Sequence, residues 1–175
     1  MVLGRRELLI LGGVGLVAAT AGALVGPMLM QSQSGAADLL AASFPDLDGR
    51  PRKLLEWRGH VLVCNFWATW CTPCREEIPL LAAARNRFSP KRVEIVGIGI
   101  DSASKIYEFS KTLGIRYPIL VAGVEGLELM RKLGNVAGGL PFTVFLDRQG
   151  RLAYRKLGPI QALELEEQLA KLLVS

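Results

Sequence analysis

The chain has 175 residues, a length that fits one ordinary domain and a short extra segment, since single cores usually occupy about 100 to 200 residues. Its formal net charge is +5, and its basic residues are scattered among acidic ones without interleaved aromatic side chains. This composition excludes a nucleic-acid-binding protein and leaves a single active site to be sought.

The first thirty residues predict a membrane segment. Arg5 and Arg6 precede residues 8–30, a stretch of 23 residues without a charge, and about 20 helical residues suffice to cross a bilayer core. The positive-inside rule keeps the arginines in the cytoplasm and places the chain after Gln31 outside it. We expect residues 1–30 to be an uncleaved anchor in the cell inner membrane, or a signal segment whose removal leaves a periplasmic protein.

The sequence leaves the export route and the processing open. Small residues that suit signal cleavage occur at 21–23 and at 34–36. The arginine pair also resembles a twin-arginine export signal, from which Gly4, Leu8 and Ile10 depart.

A linker and a hairpin are predicted next. Residues 31–42 are small, polar and rich in Ala and Gly without apolar periodicity, so we interpret them as a linker and residues 43–175 as the domain. Between Phe44 and Leu55, the Asp-Gly turn at 46–49 is flanked by hydrophobic residues and predicts a β-hairpin that covers a sheet edge.

The remaining elements alternate between strands and helices, which predicts an α/β fold with a central mixed β-sheet flanked by helices. The apolar runs 61–67 and 93–100 lack alternation, as expected of strands buried on both faces. The other predicted elements are helices over 74–88, 105–113, 126–133 and 161–173 and strands over 118–121, 142–146 and 152–155.

One motif carries chemistry. Trp70-Cys71-Thr72-Pro73-Cys74 places two cysteines at CxxC spacing between a buried strand and a helix. The N–H groups and dipole of a helix N-terminus stabilise a thiolate, so Cys71 is predicted to be the nucleophile, exposed at the sheet edge. Cys74, one turn further on, is placed to resolve a mixed disulfide. The spacing indicates a thiol-disulfide oxidoreductase whose redox group is the cysteine pair itself, without a further cofactor.

Other roles for the cysteines fit the sequence less well. A purely structural disulfide closes too short a loop to stabilise much. Structural zinc needs about four ligands, and only Cys64 and His60 lie nearby in the sequence. The chain does not fit the peroxiredoxin pattern PxxxTxxC. If Cys74 is aligned with the cysteine of that pattern, Trp67 and Cys71 stand where Pro and Thr belong. Cu(I) binding by two thiolates remains an alternative, whereas Cys64 is expected to be a packed small side chain.

The run 63–74 resembles the TlpA/ResA branch of the thioredoxin superfamily, and the resemblance extends from about Phe44 to Leu173. It implies a membrane-tethered disulfide reductase with a thioredoxin-like fold. A central βα insertion, here residues 97–101 and the helix after them, distinguishes this branch from minimal thioredoxins and adds to the N-terminal hairpin in the expected fold. The implied partners are thiol/disulfide client proteins and a membrane thiol-disulfide electron donor.

The same resemblance implies a substrate-binding loop. Residues 138–143 resemble the loop that carries a cis-proline facing the CxxC motif, although Phe142 stands where Thr is more usual. A backbone held open beside the disulfide can pair with an extended client segment. The substrate-binding residues predicted in this way are Trp70, Thr72, Pro73, Leu140 and Pro141.

Glu77 is the predicted proton-transfer residue. It matches the acid that follows the CxxC of this branch by three positions, and at i+3 from Cys74 it is expected to face the thiols. Asn65 occupies the position of a buried aspartate in cytoplasmic thioredoxins. Because an amide cannot exchange a proton in that role, proton transfer would fall on Glu77.

The expected function is an extracytoplasmic disulfide reductase of envelope proteins, such as apocytochrome c or copper-site assembly factors. Residues 72 and 73 lack the histidine of strongly oxidising CPHC sites, which favours reduction. An oxidising disulfide donor and a Cu(I)-binding chaperone are the alternatives.

Overall fold

The computed structural model describes residues 33–174. The predicted membrane segment, residues 1–30, lies outside the described residues. Within the part that is described, no helix combines the length and the apolar character needed to cross a membrane.

A five-stranded mixed sheet forms the centre of the fold, and a two-stranded hairpin precedes it. The predicted alternation of strands and helices is confirmed. The hairpin strands are β1 (Ser43–Pro45) and β2 (Pro51–Lys53). The central strands are β3 (Val61–Trp67), β4 (Val93–Gly99), β5 (Ile119–Val121), β6 (Phe142–Leu146) and β7 (Leu152–Leu157). The α-helices are α1 (33–41), α2 (Thr72–Phe88), α3 (Ala103–Leu113), α4 (Glu125–Lys132) and α5 (Ala162–Val174).

The strand order β5-β4-β3-β6-β7 decides which loops meet. Strands β3, β4 and β5 are parallel, whereas β6 runs antiparallel to β3 and β7 antiparallel to β6. The carboxyl ends of β3, β4, β5 and β7 and the beginning of β6 therefore lie at one end of the sheet, which we call the CxxC pole. Its loops are residues 68–71, 100–102, 122–124, 134–141 and 158–161.

Helices cover both faces of the sheet. One apolar cluster joins the sheet to α2, α3 and α5, and a second joins it to α1 and α4. All seven residues of β3 and all seven of β4 are buried, which explains why both are apolar on both faces apart from Asn65 and Glu94. A side chain at Gly99, the last residue of β4, would clash with the Ile106 side chain on α3.

Residues 33–41 are helical, so the interpretation of 31–42 as a linker is wrong for its described part. Gly35 and Ala36 are buried, and Leu39 is fully buried in the cluster beneath α4. The Lys132 ammonium of α4 binds the Asp38 carboxylate at 2.7 Å. Because Gly35 and Ala36 are small, the helical pattern of burial was not visible in the sequence. The folded domain begins before residue 43.

The predicted hairpin is confirmed. Ser43 pairs with Lys53, and Pro45 pairs with Pro51 across the turn. Asp46 forms an isolated antiparallel bridge with Leu120 of β5. Because β5 is the outer strand on this side of the sheet, the hairpin covers a sheet edge, as expected.

Candidate active site

The two cysteines form a disulfide where β3 ends and α2 begins. Cys71 is the N-cap residue of α2, and the backbone N–H of Cys74 donates to its Sγ at 3.3 Å. Pro73 lies in the first turn, where the absence of an N–H costs no helical hydrogen bond. Once the disulfide is reduced, the free N–H groups of this turn stabilise a thiolate on Cys71.

The cysteines differ in accessibility, but less than expected. Cys71 is 5% exposed and Cys74 is fully buried, so the predicted exposure of Cys71 is wrong for the disulfide form. The residue beside it, Trp70, is 67% exposed. Thr72 is exposed and Pro73 is half-buried. A partner that approaches the disulfide therefore meets Trp70 and Thr72 around a largely covered Cys71.

Glu77 of helix α2 belongs to a buried polar cluster near the disulfide. Glu77 is 4% exposed, and its carboxylate accepts from the Asn65 Nδ2 at 2.7 Å and from the Ile160 N–H at 2.9 Å. The Asn65 Nδ2 also donates to the Thr143 Oγ1 at 2.9 Å. Glu77 is thus held inside the protein by Asn65 of β3 and by the loop before α5, and it is not a solvated surface residue.

Burial raises the pKa of the Glu77 carboxyl above its ordinary value, although the hydrogen bonds from Ile160 and Asn65 oppose the shift. Desolvation disfavours the charged form of a carboxyl group. Glu77 therefore retains a proton at a higher pH than a surface glutamate. A carboxyl group of this kind suits general acid-base chemistry.

The Leu140–Pro141 peptide bond is cis, as the sequence analysis predicted for Pro141. Phe142, the first residue of β6, pairs with Phe66 near the end of β3. The loop that carries Pro141 therefore lies at the same end of the sheet as the CxxC turn. The Gly158 N–H donates to the Pro141 carbonyl at 2.8 Å. Phe142, the departure from the family pattern, packs its ring 5.8 Å from the ring of Phe66.

The structure also reveals a contact that the sequence analysis missed. The Thr69 hydroxyl, two residues before Cys71, donates to the Asp101 carboxylate, which follows β4. Asp101 also accepts from the Ser102 N–H at 2.8 Å. Burial raises the pKa of the Asp101 carboxyl, but these hydrogen bonds and Lys105 outweigh it and lower the pKa. The sequence contained a signal for this contact, because Asp101 follows a predicted parallel strand directly. Polar side chains in the loops after neighbouring parallel strands lie close together.

Cys64 lies within β3 and is fully buried, as expected of a packed side chain. Burial raises the pKa of its thiol far above the ordinary value, so it carries no thiolate at neutral pH. Among residues 33–174, no three His, Cys, Asp or Glu side chains lie together in a group that could hold a metal ion.

Comparisons with known proteins agree with this site. Residues 36–155 match the model of the AhpC/TSA family. Thiol-disulfide oxidoreductase ResA of Bacillus thuringiensis subsp. konkukian is 28% identical over 128 residues, which cover 73% of this chain and 72% of that protein. Thioredoxin-like protein YneN of Bacillus subtilis is 28% identical over 131 residues, covering 73% of this chain and 74% of that one.

A solved structure extends the comparison to the fold. A thiol:disulfide interchange protein of the thioredoxin family from Chlorobium tepidum superposes with a TM-score of 0.65 at 28% identity, covering 75% of this chain and 92% of that one. The resemblance to the TlpA/ResA branch and the thioredoxin-like fold are thereby confirmed. The chain belongs to the AhpC/TSA family and is a thiol-disulfide oxidoreductase of the thioredoxin superfamily.

Proposed function

We propose that the protein is an extracytoplasmic disulfide reductase that acts on proteins of the cell envelope. The observation that carries the proposal is the Cys71–Cys74 disulfide at the N-terminus of α2, on the same helix as the buried carboxyl group of Glu77. A dithiol at this position presents one thiolate-forming cysteine and one resolving cysteine to a client disulfide.

The reaction transfers two electrons. The Cys71 thiolate attacks one sulfur of a client disulfide, the client S–S bond breaks, and the departing client thiolate takes up a proton. Cys74 loses its proton and attacks the Cys71 Sγ, which releases the second client sulfur as a thiolate and forms the Cys71–Cys74 bond. The client is reduced, and the enzyme returns to the dithiol form when a dithiol donor reduces it.

Glu77 is proposed to accept the Cys74 proton during the resolving step and to return it when the enzyme is reduced again. Cys74 is fully buried, so bulk water is a poor acceptor for its proton. Glu77 lies three residues further along α2, a spacing that places side chains on the same helix face. Its raised pKa makes the Glu77 carboxylate a better proton acceptor than a surface glutamate.

The client is proposed to lie in an extended conformation beside the cis-proline loop, in contact with Leu140 and Pro141. In the described part of the chain, the backbone N–H and carbonyl of Leu140 have no hydrogen-bond partner. Main-chain groups of this kind pair with an added strand. Trp70, Thr72 and Pro73 would contact the client on the other side of the disulfide.

The proposed location is the outer side of the inner membrane, either with residues 1–30 as an anchor or in the periplasm after their removal. The uncharged stretch of residues 8–30 after Arg5 and Arg6 supports a membrane segment. The proposed electron donor is a membrane thiol-disulfide protein. The proposed clients are envelope proteins such as apocytochrome c or copper-site assembly factors.

The reduction potential of the Cys71/Cys74 couple tests the direction of the reaction. Equilibration of the full chain in detergent with glutathione or dithiothreitol buffers gives the value. Thioredoxin, at about −270 mV, and DsbA, at about −120 mV, are the reference points. A value near or below the first supports a reductase, and a value near the second means that the protein is a disulfide donor.

A further inference from the structure

The end of the sheet opposite the CxxC pole has a distinct charge. Three of the loops at this end are residues 58–60 before β3, 89–92 before β4 and 147–151 between β6 and β7. We call them the basic pole. Together they contain five basic residues and one carboxylate, that of Asp147, which pairs with Arg151 at 2.8 Å. The five basic residues are Arg58, Lys91, Arg92, Arg148 and Arg151.

The positive charge of this pole is available to a partner. Arg58, Lys91 and Arg92 are exposed, and no carboxylate of the described residues lies within ion-pair distance of them. In the loops of the CxxC pole, by contrast, Asp101 is the only charged residue. The charge is therefore separated along the strands rather than spread evenly.

The folded domain receives the preceding chain at the basic pole. The Gln33 side chain donates to the Leu152 carbonyl and accepts from the Leu152 N–H, both at 3.0 Å. Leu152 pairs with Leu146, and Leu146 pairs with Leu62, the second residue of β3. The uncharged stretch of residues 8–30 thus ends only a few residues before the point where the chain meets this end of the sheet.

An apolar crevice of about 210 Å³ opens beside the basic residues. Leu40, Leu55 and Trp57 line it together with Arg58 and Arg148. Leu55 is 42% exposed and Trp57 is half-buried. An indole next to arginines, beside exposed aliphatic side chains, is the composition of surfaces that lie at the headgroup level of a membrane.

We propose that the basic pole rests on the headgroups of an anionic phospholipid bilayer and that the CxxC pole points away from it. Charge complementarity and the entry of the chain at Gln33 support this arrangement. The seven residues of β3 hold the cysteines about 20 Å further from the lipid. Clients then reach Trp70 and Cys71 from the aqueous side. The proposal rests on the membrane location given under the proposed function.

Tryptophan quenching tests the orientation, because Trp57 lies directly beside the basic pole. The other two tryptophans, Trp67 at the end of β3 and Trp70, lie at the CxxC end. The full chain is reconstituted into vesicles of phosphatidylcholine and phosphatidylglycerol that carry a nitroxide on the headgroup. Quenching should persist in the variant Trp70→Phe and fall about threefold in Trp57→Phe, because Trp57 is the tryptophan placed at the headgroup level. Equal quenching in both variants, or selective quenching of Trp70, overturns the proposal.

A charge-reversal pair controls for total charge. Arg58→Glu with Lys91→Glu should reduce the Trp57 quenching at least about twofold, because lysine and arginine near an anionic surface provide the attraction. Arg75→Glu with Lys105→Glu changes the net charge equally on exposed residues at the opposite end, in the first turns of α2 and α3, and should leave the quenching unchanged. If both pairs of substitutions reduce the Trp57 quenching equally, the basic pole is not the surface that contacts the lipid.

Flotation of the same vesicles separates the orientation from the anchor. At about 1 M salt, charge attraction to the lipid is screened. Protein that still floats with the vesicles under this condition is anchored by residues 1–30. Flotation at all salt concentrations without selective Trp57 quenching refutes the basic pole and leaves the anchor intact. Flotation at low salt alone refutes the anchor and supports the pole. Absence of flotation under both conditions refutes both.

Discussion

The two ends of the central sheet are made by the same strands and yet have opposite characters. The CxxC pole carries the disulfide and has Asp101 as the only charged residue in its loops. The basic pole has five basic residues in three loops and receives the chain at Gln33. Between them, β3 and β4 are buried along their whole length. The strands therefore act as a rigid spacer, and the loops at either end carry separate tasks.

The largest expected effect concerns the cysteines of the CxxC pole. Cys71→Ser should lower disulfide reductase activity at least about 10³-fold, because the nucleophile is lost. Cys74→Ser should accumulate a mixed disulfide between Cys71 and the client, since the resolving thiol is missing. Reduction of a disulfide-bonded peptide, followed by non-reducing electrophoresis, measures both. Arg58→Glu, at the basic pole, should retain full activity in solution, and a loss there would break the separation between the two poles.

Glu77→Gln should lower the reductase rate about 10- to 100-fold, because proton transfer to and from Cys74 is lost. The pH dependence of stability should change as well. Burial raises the Glu77 pKa above the ordinary value of 4.5, so its contribution to stability is full below that value and is lost as the pH rises through the folded-state pKa.

Urea unfolding at several pH values between about 4 and 8 checks the stability effect of Glu77. The wild type should lose stability across this window by an amount that is absent in Glu77→Gln. Glu76→Gln is the matched control, because Glu76 is an exposed glutamate on the same helix. Identical pH profiles for Glu77→Gln and the wild type would contradict the assigned role.

The contact between Thr69 and Asp101 should have a smaller effect. Thr69→Val removes the hydroxyl that donates to the Asp101 carboxylate and should lower the free energy of unfolding by about 1 kcal/mol. Thr69→Ser keeps the hydroxyl and should retain stability. Denaturant unfolding at neutral pH measures the difference, and equal stability of the two variants would show that the contact is unimportant.

The same contact predicts an acid dependence. The Asp101 pKa is lowered below the ordinary value of 3.8, so its stabilising contribution is present above that value and is lost as the pH falls through the folded-state pKa. Asp101→Asn should therefore lose less stability than the wild type between about pH 4 and pH 2. Acid unfolding curves of the two proteins provide the measurement.

The smallest effect should come from the third cysteine, which lies in the spacer and not at a pole. Cys64→Ala should leave reductase activity unchanged, because the thiol is fully buried and its pKa is raised. Under native conditions, a maleimide should label the reduced enzyme at Cys71 but not at Cys64. Rapid labelling of Cys64 in the folded protein would show that β3 opens and does not act as a rigid spacer.

The sequence predicted the elements whose signals are local. Strand β3 and the helix after it follow from a continuous apolar run and from the CxxC spacing. The hairpin follows from its Asp-Gly turn. Helix α1 was not predicted, because two of the three residues on its buried face, Gly35 and Ala36, are small and only Leu39 is large. Small residues give a weak apolar period.

The candidate site was predictable as a set of residues but not as a set of contacts. Cys71, Cys74 and the cis-proline could be recognised from motifs. The burial of Glu77 depends on Asn65 and on the Ile160 N–H, 83 residues away. Contacts between segments so distant along the chain leave no periodic signal. The limited exposure of Cys71 likewise depends on how neighbouring segments pack.

The placement of β6 beside β3 also governs the order of assembly. Asn65 and Thr143, which bond beneath the site, are separated by 78 residues, and pairing over such distances is slow because the intervening loop must close first. A chain that is made from its N-terminus presents both cysteines well before the cis-proline loop exists. The cysteines therefore wait for their facing loop, and the active site is complete only after β6 has paired with β3.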